Sequence, residues 1–231
     1  MKVSVIVVAA GEGKRMGAEK QFVELGGIPL CIRACVAFDG INNIGEIILV
    51  VSPKNVSMAK EHVSGHKLKK VKKIVPGGDV RQASVYNGLK ELAADSEYVL
   101  IHDGARPLLS PELVEKMLSE LVGKDAVVLA VPVSDTVKQI DERCVVSKTV
   151  ERKDLWAAQT PQGFRVSLIR EAHEKAIKEG ISATDDAVLV ERTGKDVNIL
   201  MGSYENMKIT TPLDLVVAEC IINKRIKEGK R

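Results

Sequence analysis

The sequence has no apolar run that approaches the roughly 20 residues a membrane-spanning helix needs. Its four cysteines form no C-x-x-C pair, and Cys31 and Cys35 lie four apart on a predicted helix, which indicates burial rather than metal binding. The formal net charge is only +3, too small to indicate a nucleic acid or a membrane surface as a partner. The first residues enter a strand directly, so we expect a cytoplasmic globular protein without a signal peptide.

The two commonest phosphate-binding motifs are also missing. No G-x-x-x-x-G-K-[ST] sequence occurs, which excludes a P-loop. The first loop reads Gly11-x-Gly13-x-x-x-Gly17, with Met16 where a dinucleotide fingerprint has glycine or alanine. This spacing disfavours an NAD-dependent oxidoreductase.

Nearly unbroken apolar runs of strand length alternate with helix-like segments. This alternation predicts an α/β, Rossmann-like fold with a mostly parallel sheet and helices on both faces, in a single domain over residues 1–231. The predicted strands are Val3–Val8, Glu46–Val51, Val71–Val75, Tyr98–Ile101, Ala126–Val131 and Val197–Met201. The predicted helices are Pro29–Phe38, Asn55–Val63, Val80–Ala94, Pro111–Val122, Arg165–Glu179, Asp185–Arg192 and a last one from Pro212 to about Lys227.

One stretch, at about residues 134–156, breaks this alternation. It is polar and β-branched around a turn-like Asp141-Glu142-Arg143, which predicts a β-hairpin that leaves the sheet. An isolated hairpin is only marginally stable in water. The hairpin therefore packs either on a second subunit or back on its own domain.

The first loop combines glycines with Lys14, Arg15 and Lys20. A triphosphate carries about four negative charges, and it favours such added cations more than a diphosphate does. The loop therefore fits a nucleoside triphosphate, the alternative being a tight surface turn with solvated lysines.

Further polar motifs follow other predicted strands. "PGGDVRQAS" (76–84) carries Asp79, Arg81 and Ser84, "HDGARP" (102–107) carries Asp103, and "GSYENMKIT" (202–210) carries Lys208. Ligands of parallel sheets bind beyond the carboxyl ends of the strands, so we expect these motifs at one edge. There they would support phosphoryl-type transfer, with Asp103 holding Mg²⁺ or another divalent cation.

The motifs "AAGEGKRMG", "KQF", "GGDVRQASVYNGL", "HDGARP", "TPQGF" and "NMKITTPLDL", in this order, resemble those of the 2-C-methyl-D-erythritol 4-phosphate cytidylyltransferases. The resemblance runs from residue 3 to about residue 220. It implies a nucleotidyltransferase fold, a homodimer joined through β-arms, and Mg²⁺. The implied reaction joins CTP to methylerythritol phosphate and releases diphosphate, in non-mevalonate isoprenoid synthesis.

The resemblance also assigns roles to individual residues. Arg15 and Lys20 match the pair that stabilises charge on the transferring phosphate. Arg152 is implied to reach the partner's site, and Asp103 and Asn206 would lie near the metal. The residues implied to position the acceptor are Arg106, Thr136, Arg152, Thr160, Thr184 and Lys208. The residues implied to bind the nucleotide are Ala10, Gly11, Glu12, Gly13, Gly78, Asp79, Arg81, Ser84, Asp103 and Ala105.

Two positions differ from residues common in the family, and two alternative functions stay open. Glu19 stands where the family often has proline, and Glu205 where some relatives have aspartate. A ribitol 5-phosphate cytidylyltransferase would share the fold, CTP and most of the motifs. A non-catalytic nucleotide-binding regulator would need the glycine loops but not Lys20 or Lys208.

Overall fold

The computed structural model describes residues 1–11 and 20–229. Its strands are β1 (Val3–Ala9), β2 (Glu24–Leu25), β3 (Ile28–Pro29), β4 (Ile44–Val51), β5 (Val71–Pro76), β6 (Tyr98–Asp103), β7 (Ala126–Pro132), β8 (Val137–Ile140), β9 (Val146–Val150), β10 (Trp156–Arg165) and β11 (Asn198–Met201). Its α-helices are α1 (Leu30–Asp39), α2 (Val56–Gly65), α3 (Arg81–Lys90), α4 (Pro111–Leu121), α5 (Val166–Lys178), α6 (Asp186–Glu191) and α7 (Pro212–Lys227). Within these residues, no helix has the length and apolar character needed to cross a membrane.

Within the described residues, seven strands form one sheet in the order β11-β7-β10-β6-β1-β4-β5. The six strands predicted from apolar runs all belong to it, and they pair in parallel wherever they are neighbours. The predicted α/β fold with a mostly parallel sheet is therefore confirmed. The chain turns to opposite sides of β1 to form β4 and β6, which creates the kind of crevice where open α/β sheets bind ligands.

Strand β10 is absent from the sequence prediction, and it is antiparallel to both of its neighbours, β6 and β7. Its sequence, WAAQTPQGFR, has no apolar run, and a proline argues against an interior strand. The structure accommodates Pro161 because the pairing with β7 shifts register between Ala158 and Gln162. Gly163 is required by packing, since a Cβ there would lie 2.7 Å from a methyl carbon of Leu121.

Alternate residues of each strand face opposite sides of the sheet, and each side carries its own helices. Val5 and Val7 belong to the apolar cluster that packs α1, α2 and α4, whereas Ile6 and Val8 belong to the cluster that packs α3, α5 and α6. Helices therefore cover both faces, as predicted. Helix α7 packs on a third, smaller cluster with Leu25 and Leu108.

Local signals explain where two of the helices begin. Thr211 caps α7 with a hydrogen bond from the backbone of Asp214, whose side chain bonds back to the backbone of Thr211, and Pro212 takes the first helical position. Ser110 accepts a hydrogen bond from Leu113 at the start of α4, followed by Pro111. Both starts coincide with the predicted ones.

The predicted hairpin is present as β8 and β9, which pair with each other in a separate antiparallel sheet. Most of its side chains are exposed, including the apolar Ile140, Val145 and Val146. We call residues 134–155, which contain this hairpin, the arm.

Candidate active site

A cleft of about 670 Å³ opens at the carboxyl ends of β1, β4, β5 and β6. This volume is in the range of small-molecule sites, and its position is the one expected for an open α/β sheet. The described residues that line it are Val8, Ala10, Gly11, Lys20, Gln21, Ser52, Pro53, Gly77, Gly78, Asp79, Val80, Arg81, Ser84, Asp103, Ala105, Lys208 and Thr210. The motifs predicted to share one sheet edge therefore do meet.

The glycine loop after β5 lies against the backbone of the neighbouring strands. The N–H of Gly77 donates to the carbonyl of Val51 at 2.8 Å, and a Cβ on Gly77 would lie 2.3 Å from the Cβ of Ala10. No side chain fits at position 77, so the loop passes close to the segment that follows β1. The backbone of this loop therefore forms part of the cleft wall, where a ligand can approach it closely.

Ser84 stabilises the same loop from the first turn of α3. Its Oγ accepts a hydrogen bond from the N–H of Gly78 at 3.1 Å and lies 3.1 Å from the carbonyl of Val80, to which it can donate. The side chain is 2% exposed. Its contacts therefore shape the glycine loop at the wall of the cleft.

Asp103 ends β6 and is the buried carboxylate of the cleft wall. Arg81 Nε donates to its Oδ1 at 3.1 Å, and Lys208 Nζ donates to its Oδ2 at 2.7 Å. Burial alone would raise the pKa of Asp103, but Arg81 and Lys208 outweigh it and hold the pKa well below its usual range. Asp103 is therefore ionised at neutral pH, between two cations.

Lys20 enters the cleft from a short 3₁₀ helix, Lys20–Phe22, and is 7% exposed. Beside it, Gln21 Oε1 is buried without a hydrogen-bond partner. The predicted residues Glu12, Gly13 and Arg15 lie outside the described part of the chain.

A buried hydrogen-bond network stands behind the cleft and fixes the tip of β6. The N–H of Asp103 donates to Thr160 Oγ1 at 2.9 Å, and Thr160 Oγ1 lies 3.0 Å from His102 Nδ1. His102 Nε2 faces the carbonyl of Arg106 at 3.0 Å, so it carries the proton and Nδ1 accepts from Thr160. Burial lowers the pKa of His102 to about 4, which keeps this imidazole neutral at pH 7.

Asn206 and Arg106 belong to this network rather than to the lining of the cleft. Asn206 Nδ2 donates to the carbonyl of Thr160 at 2.8 Å, and Arg106 Nη1 donates to the carbonyl of Asn206 at 2.7 Å. Asn206 is 1% exposed, and its Oδ1 has no hydrogen-bond partner. These hydrogen bonds fix the loop that carries Lys208. Direct metal ligation by Asn206 stays a prediction.

Glu205 has a structural partner in the C-terminal helix. Its Oε2 accepts from Arg225 Nη2 at 2.9 Å, and Arg225 Nη1 donates to the carbonyl of Leu108 at 2.9 Å. The ion pair connects α7 to the loop that carries Lys208, and the hydrogen bond to Leu108 connects α7 to the loop after β6. Glu205, which stands where some relatives have aspartate, therefore has a structural role here.

Three predicted acceptor-positioning residues lie away from the cleft of their own chain. Thr136 and Arg152 are exposed in the arm, where an Arg152 nitrogen donates to the carbonyl of Ser134, and Thr184 is exposed just before α6. Among the described residues, the cleft lining includes none of the three.

Seven described residues that line the cleft received no role from the sequence: Val8, Gln21, Ser52, Pro53, Gly77, Val80 and Thr210. Ser52 and Pro53 follow β4 directly, so the rule that placed the other motifs at the carboxyl edge could have found them. Gln21, Gly77, Val80 and Thr210 lie within the quoted motifs, and their own chemistry gives no separate signal.

The cleft fits a divalent cation through a single protein carboxylate. Among residues 1–11 and 20–229, no group of three His, Cys, Asp or Glu side chains could hold a metal ion. Mg²⁺ does not require such a group, since it commonly binds one or two carboxylates together with substrate phosphates. The ionised Asp103 at the cleft edge has the chemistry for this kind of site.

The arrangement suits transfer at a phosphate. Lys20, Arg81, Lys208 and the glycine backbone place positive charge around one cleft, which is what an anionic transition state at phosphorus requires. The hydroxyl of Ser84, which lines the cleft, contacts backbone groups of Gly78 and Val80, and within the described part of the chain no His, Asp or Glu side chain bonds to it. We therefore expect the attacking group to come from a second substrate.

Comparison with known proteins agrees with this chemistry. A family model described as 2-C-methyl-D-erythritol 4-phosphate cytidylyltransferase matches residues 3–224. A protein of that name from Geobacillus thermodenitrificans is 48% identical over 230 residues, covering 99% of this chain and 100% of the relative. Another from Alkaliphilus metalliredigens is 44% identical over 233 residues, covering 100% and 96%.

Solved structures give the same result. The 4-diphosphocytidyl-2C-methyl-D-erythritol synthase of Anaerococcus prevotii has a TM-score of 0.84 at 33% identity, covering 96% of this chain and 98% of its own. The 2-C-methyl-D-erythritol 4-phosphate cytidylyltransferase of Thermus thermophilus has a TM-score of 0.79 at 33% identity, covering 96% and 100%. From these matches, together with the cleft and its motifs, it follows that this chain belongs to the 2-C-methyl-D-erythritol 4-phosphate cytidylyltransferase family.

Proposed function

We propose that this protein joins CTP and 2-C-methyl-D-erythritol 4-phosphate to give 4-diphosphocytidyl-2-C-methyl-D-erythritol and diphosphate. An oxygen of the acceptor's phosphate attacks the α-phosphorus of CTP, and the bond from that phosphorus to the α–β bridging oxygen breaks. The observation that carries the proposal is the cleft, which Lys20, Arg81 and Lys208 line in a chain of this family, with Arg81 and Lys208 paired to the ionised Asp103.

In this proposal, different cationic side chains neutralise the charge of the α-phosphate and of the acceptor's phosphate. Lys20, buried at the cleft wall, and Arg15 act at the α-phosphate, where charge accumulates as the new bond forms. Lys208 is 43% exposed in its side chain and pairs with Asp103, so it can turn toward an incoming phosphate. We assign it to the phosphate of the acceptor.

The nucleotide is held mainly by backbone and small side chains. Gly78, Asp79 and Arg81 approach it from the loop after β5, and Ala10, Gly11 and Ala105 from the loops after β1 and β6. Glu12 and Gly13 complete the first loop in this proposal. Ser84 acts through the shape that it gives to the loop at Gly78.

A divalent cation is held by Asp103. When bound, it would neutralise charge on the triphosphate and orient its phosphates. The protein's own contribution is a carboxylate that stays ionised and is fixed by Arg81 and by the backbone bond to Thr160. The cation is Mg²⁺ in this proposal. The cytoplasmic location of the protein stays a prediction.

The acceptor site is completed by a second subunit. Arg152 and Thr136 lie in an exposed arm with apolar side chains at Ile140, Val145 and Val146, each 53–54% exposed. A hairpin of this kind is marginal alone, so we assign it to an interface between two copies of the chain. Two-fold symmetry makes the exchange reciprocal, so Arg152 of each subunit reaches the partner's cleft.

Subunit mixing tests the shared site. Lys20→Ala and Arg152→Ala homodimers are each expected to be nearly inactive. In a mixed dimer one cleft keeps both residues if Arg152 acts in the partner's site, so activity returns on mixing. No recovery, with mixed dimers shown to have formed, would place Arg152 in the site of its own subunit.

The reaction is tested by diphosphate release from CTP, with methylerythritol phosphate and ribitol 5-phosphate as alternative acceptors. We expect release with methylerythritol phosphate and little with ribitol phosphate or without an acceptor. Preference for ribitol phosphate would make the chain a cytidylyltransferase of the other acceptor class. No release with either acceptor, despite CTP binding, would indicate the nucleotide-binding regulator.

A further inference from the structure

A second buried carboxylate, Asp186, lies behind the cleft wall. It is the first residue of α6, it is 1% exposed, and it is not among the described residues that line the cleft. Its Oδ2 accepts from Arg81 Nη1 at 2.7 Å, and its Oδ1 lies 3.1 Å from His173 Nε2. Among the described residues that line the cleft, the hydrogen-bond partner of Asp186 is Arg81.

The central sheet fixes the position of Asp186. Gln162, which is 1% exposed on β10, donates from Nε2 to Asp185 Oδ2 at 2.7 Å and accepts at Oε1 from the N–H of Ala187 at 3.2 Å. Asp185 also caps α6 with a bond from the N–H of Val188 at 3.2 Å. The residues on both sides of Asp186 are thus attached to one strand.

His173 holds the other side of the carboxylate. It is fully buried on α5, and its ring stacks on Tyr86 of α3 at 6.1 Å between centroids. Burial alone would raise the pKa of Asp186, but Arg81 and His173 outweigh it, so the pKa lies below its usual value. Asp186 is therefore a fixed negative charge at neutral pH.

Arg81 lies between two carboxylates and retains one unused donor. Its Nε donates to Asp103 at 3.1 Å and its Nη1 donates to Asp186 at 2.7 Å, whereas its Nη2 is buried and has no hydrogen-bond partner among residues 1–11 and 20–229. The guanidinium is planar, so anchoring two of its edges fixes the direction of the third nitrogen. A buried donor without a partner is costly and rare, which indicates a place kept for a ligand.

We infer that Asp186 is a positioning residue that sets the guanidinium of Arg81, so that Nη2 donates to a phosphate oxygen of the nucleotide. The inference rests on the proposed function and extends it by one residue. Without Asp186, Arg81 is free to turn two nitrogens toward Asp103 in a bidentate pair. That arrangement would withdraw the donor from the nucleotide and occupy the carboxylate that holds the cation.

The test compares Asp186→Asn with Asp125→Asn. Asp125 also pairs with an arginine, Arg165, at 2.7 Å, and it is not among the described residues that line the cleft, so the control removes the same charge from a similar ion pair elsewhere. Calorimetric titration with CTP alone should show affinity weakened roughly tenfold to a hundredfold in Asp186→Asn, the range of a charge-assisted hydrogen bond. Asp125→Asn should bind CTP within about twofold of wild type, since its partner is Arg165 and not Arg81.

A double-mutant cycle separates positioning from general damage. If Asp186 acts through Arg81, Asp186→Asn should weaken CTP binding in the wild type but add almost nothing in an Arg81→Ala background. Additive losses would overturn the inference, as would unchanged affinity in Asp186→Asn. If Asp186→Asn does not fold, Asp186→Glu takes its place in the cycle, because it keeps the charge and displaces the carboxylate.

A measurement without nucleotide tests the positioning role of Asp186 separately from the proposed function. The Nε–H signal of Arg81 in ¹⁵N-arginine spectra should shift and exchange faster with water in Asp186→Asn, and stay unchanged in Asp125→Asn. An unchanged signal in Asp186→Asn would refute the positioning role even if wild type binds CTP. Failure of wild type to bind CTP would refute the proposed function, whatever this signal does.

Discussion

Replacing Asp103 by asparagine removes one negative charge from the centre of the cleft and keeps the shape of the side chain. Asp103 is 10% exposed in its side chain and contacts Arg81 at 3.1 Å and Lys208 at 2.7 Å. The carbonyl of asparagine can still accept from one of these cations. We therefore expect both a loss of stability and a larger loss of turnover.

The loss of stability follows from the two ion pairs. The bond from the mostly buried Arg81 is a charge-assisted hydrogen bond, and such bonds contribute about 1.5–3 kcal/mol. The Lys208 ammonium is 43% exposed, so water screens its pair and we assign that pair only about 0.2–1 kcal/mol. Because asparagine keeps one acceptor, the free energy of unfolding should fall by about 1–3 kcal/mol. At about 2–4 °C per kcal/mol, Tm should fall by roughly 2–12 °C.

The loss of turnover follows from the cation. A metal contributes several kcal/mol of charge stabilisation at a transferring phosphate, and each 1.36 kcal/mol is tenfold in rate. We expect kcat to fall at least about a hundredfold, with more Mg²⁺ needed for half-maximal rate. The assay is diphosphate release at saturating CTP over a Mg²⁺ series, beside thermal unfolding of the same samples.

Asp125→Asn is the matched control, because Asp125 also pairs with an arginine, Arg165, at 2.7 Å, and it lies outside the cleft. It should leave kcat and the Mg²⁺ requirement unchanged. If Asp103→Asn also keeps wild-type turnover and an unchanged Mg²⁺ requirement, the assignment of the metal carboxylate is wrong.

Three further predictions follow from the described geometry. Lys20→Ala should lower kcat about 10²- to 10³-fold and weaken CTP binding far less, whereas a loss of affinity alone would make Lys20 a binding residue. Gly77→Ala would place its Cβ 2.3 Å from Ala10, so unfolding free energy should fall by about 1–3 kcal/mol and CTP affinity should drop, while Gly65→Ala meets no atom within 4 Å and should do neither. Because the folded pKa of Asp103 lies below its unfolded value of about 4, its stabilisation is present above that pH and is lost as pH falls through the folded pKa. Acid unfolding curves of wild type and Asp103→Asn should therefore converge below about pH 4, and a constant gap would contradict the ion pairing.

Much of the fold could be predicted because its signals are local. Strands covered on both faces need apolar residues at nearly every position, so β1, β4 and β7 are visible as runs. The carboxyl-edge rule then brought together motifs that are far apart in sequence, such as Gly78 and Lys208.

The other parts of the fold and of the site depend on contacts between distant residues, which leave no local pattern in the sequence. Between Trp156 and Phe164, strand β10 has only small and polar residues and one proline, and neighbouring side chains such as Leu121 fill the space at Gly163. Asp186 sits 105 residues from Arg81 in sequence, and only the docking of α6 on β10 brings the two together. The hydroxyl of Thr160 accepts a hydrogen bond from the backbone of Asp103, 57 residues away in sequence, and no local pattern indicates this contact.

The central claim is that the cleft breaks the α–β bond of CTP and transfers the cytidylyl group. The most direct measurement follows CTP labelled at the α-phosphorus, incubated with the protein, Mg²⁺ and 2-C-methyl-D-erythritol 4-phosphate. The account predicts that the label enters a product with the mass of 4-diphosphocytidyl-2-C-methyl-D-erythritol, in equal amount to the diphosphate released. Label found in CDP, or in CMP without transfer to the acceptor, would contradict it.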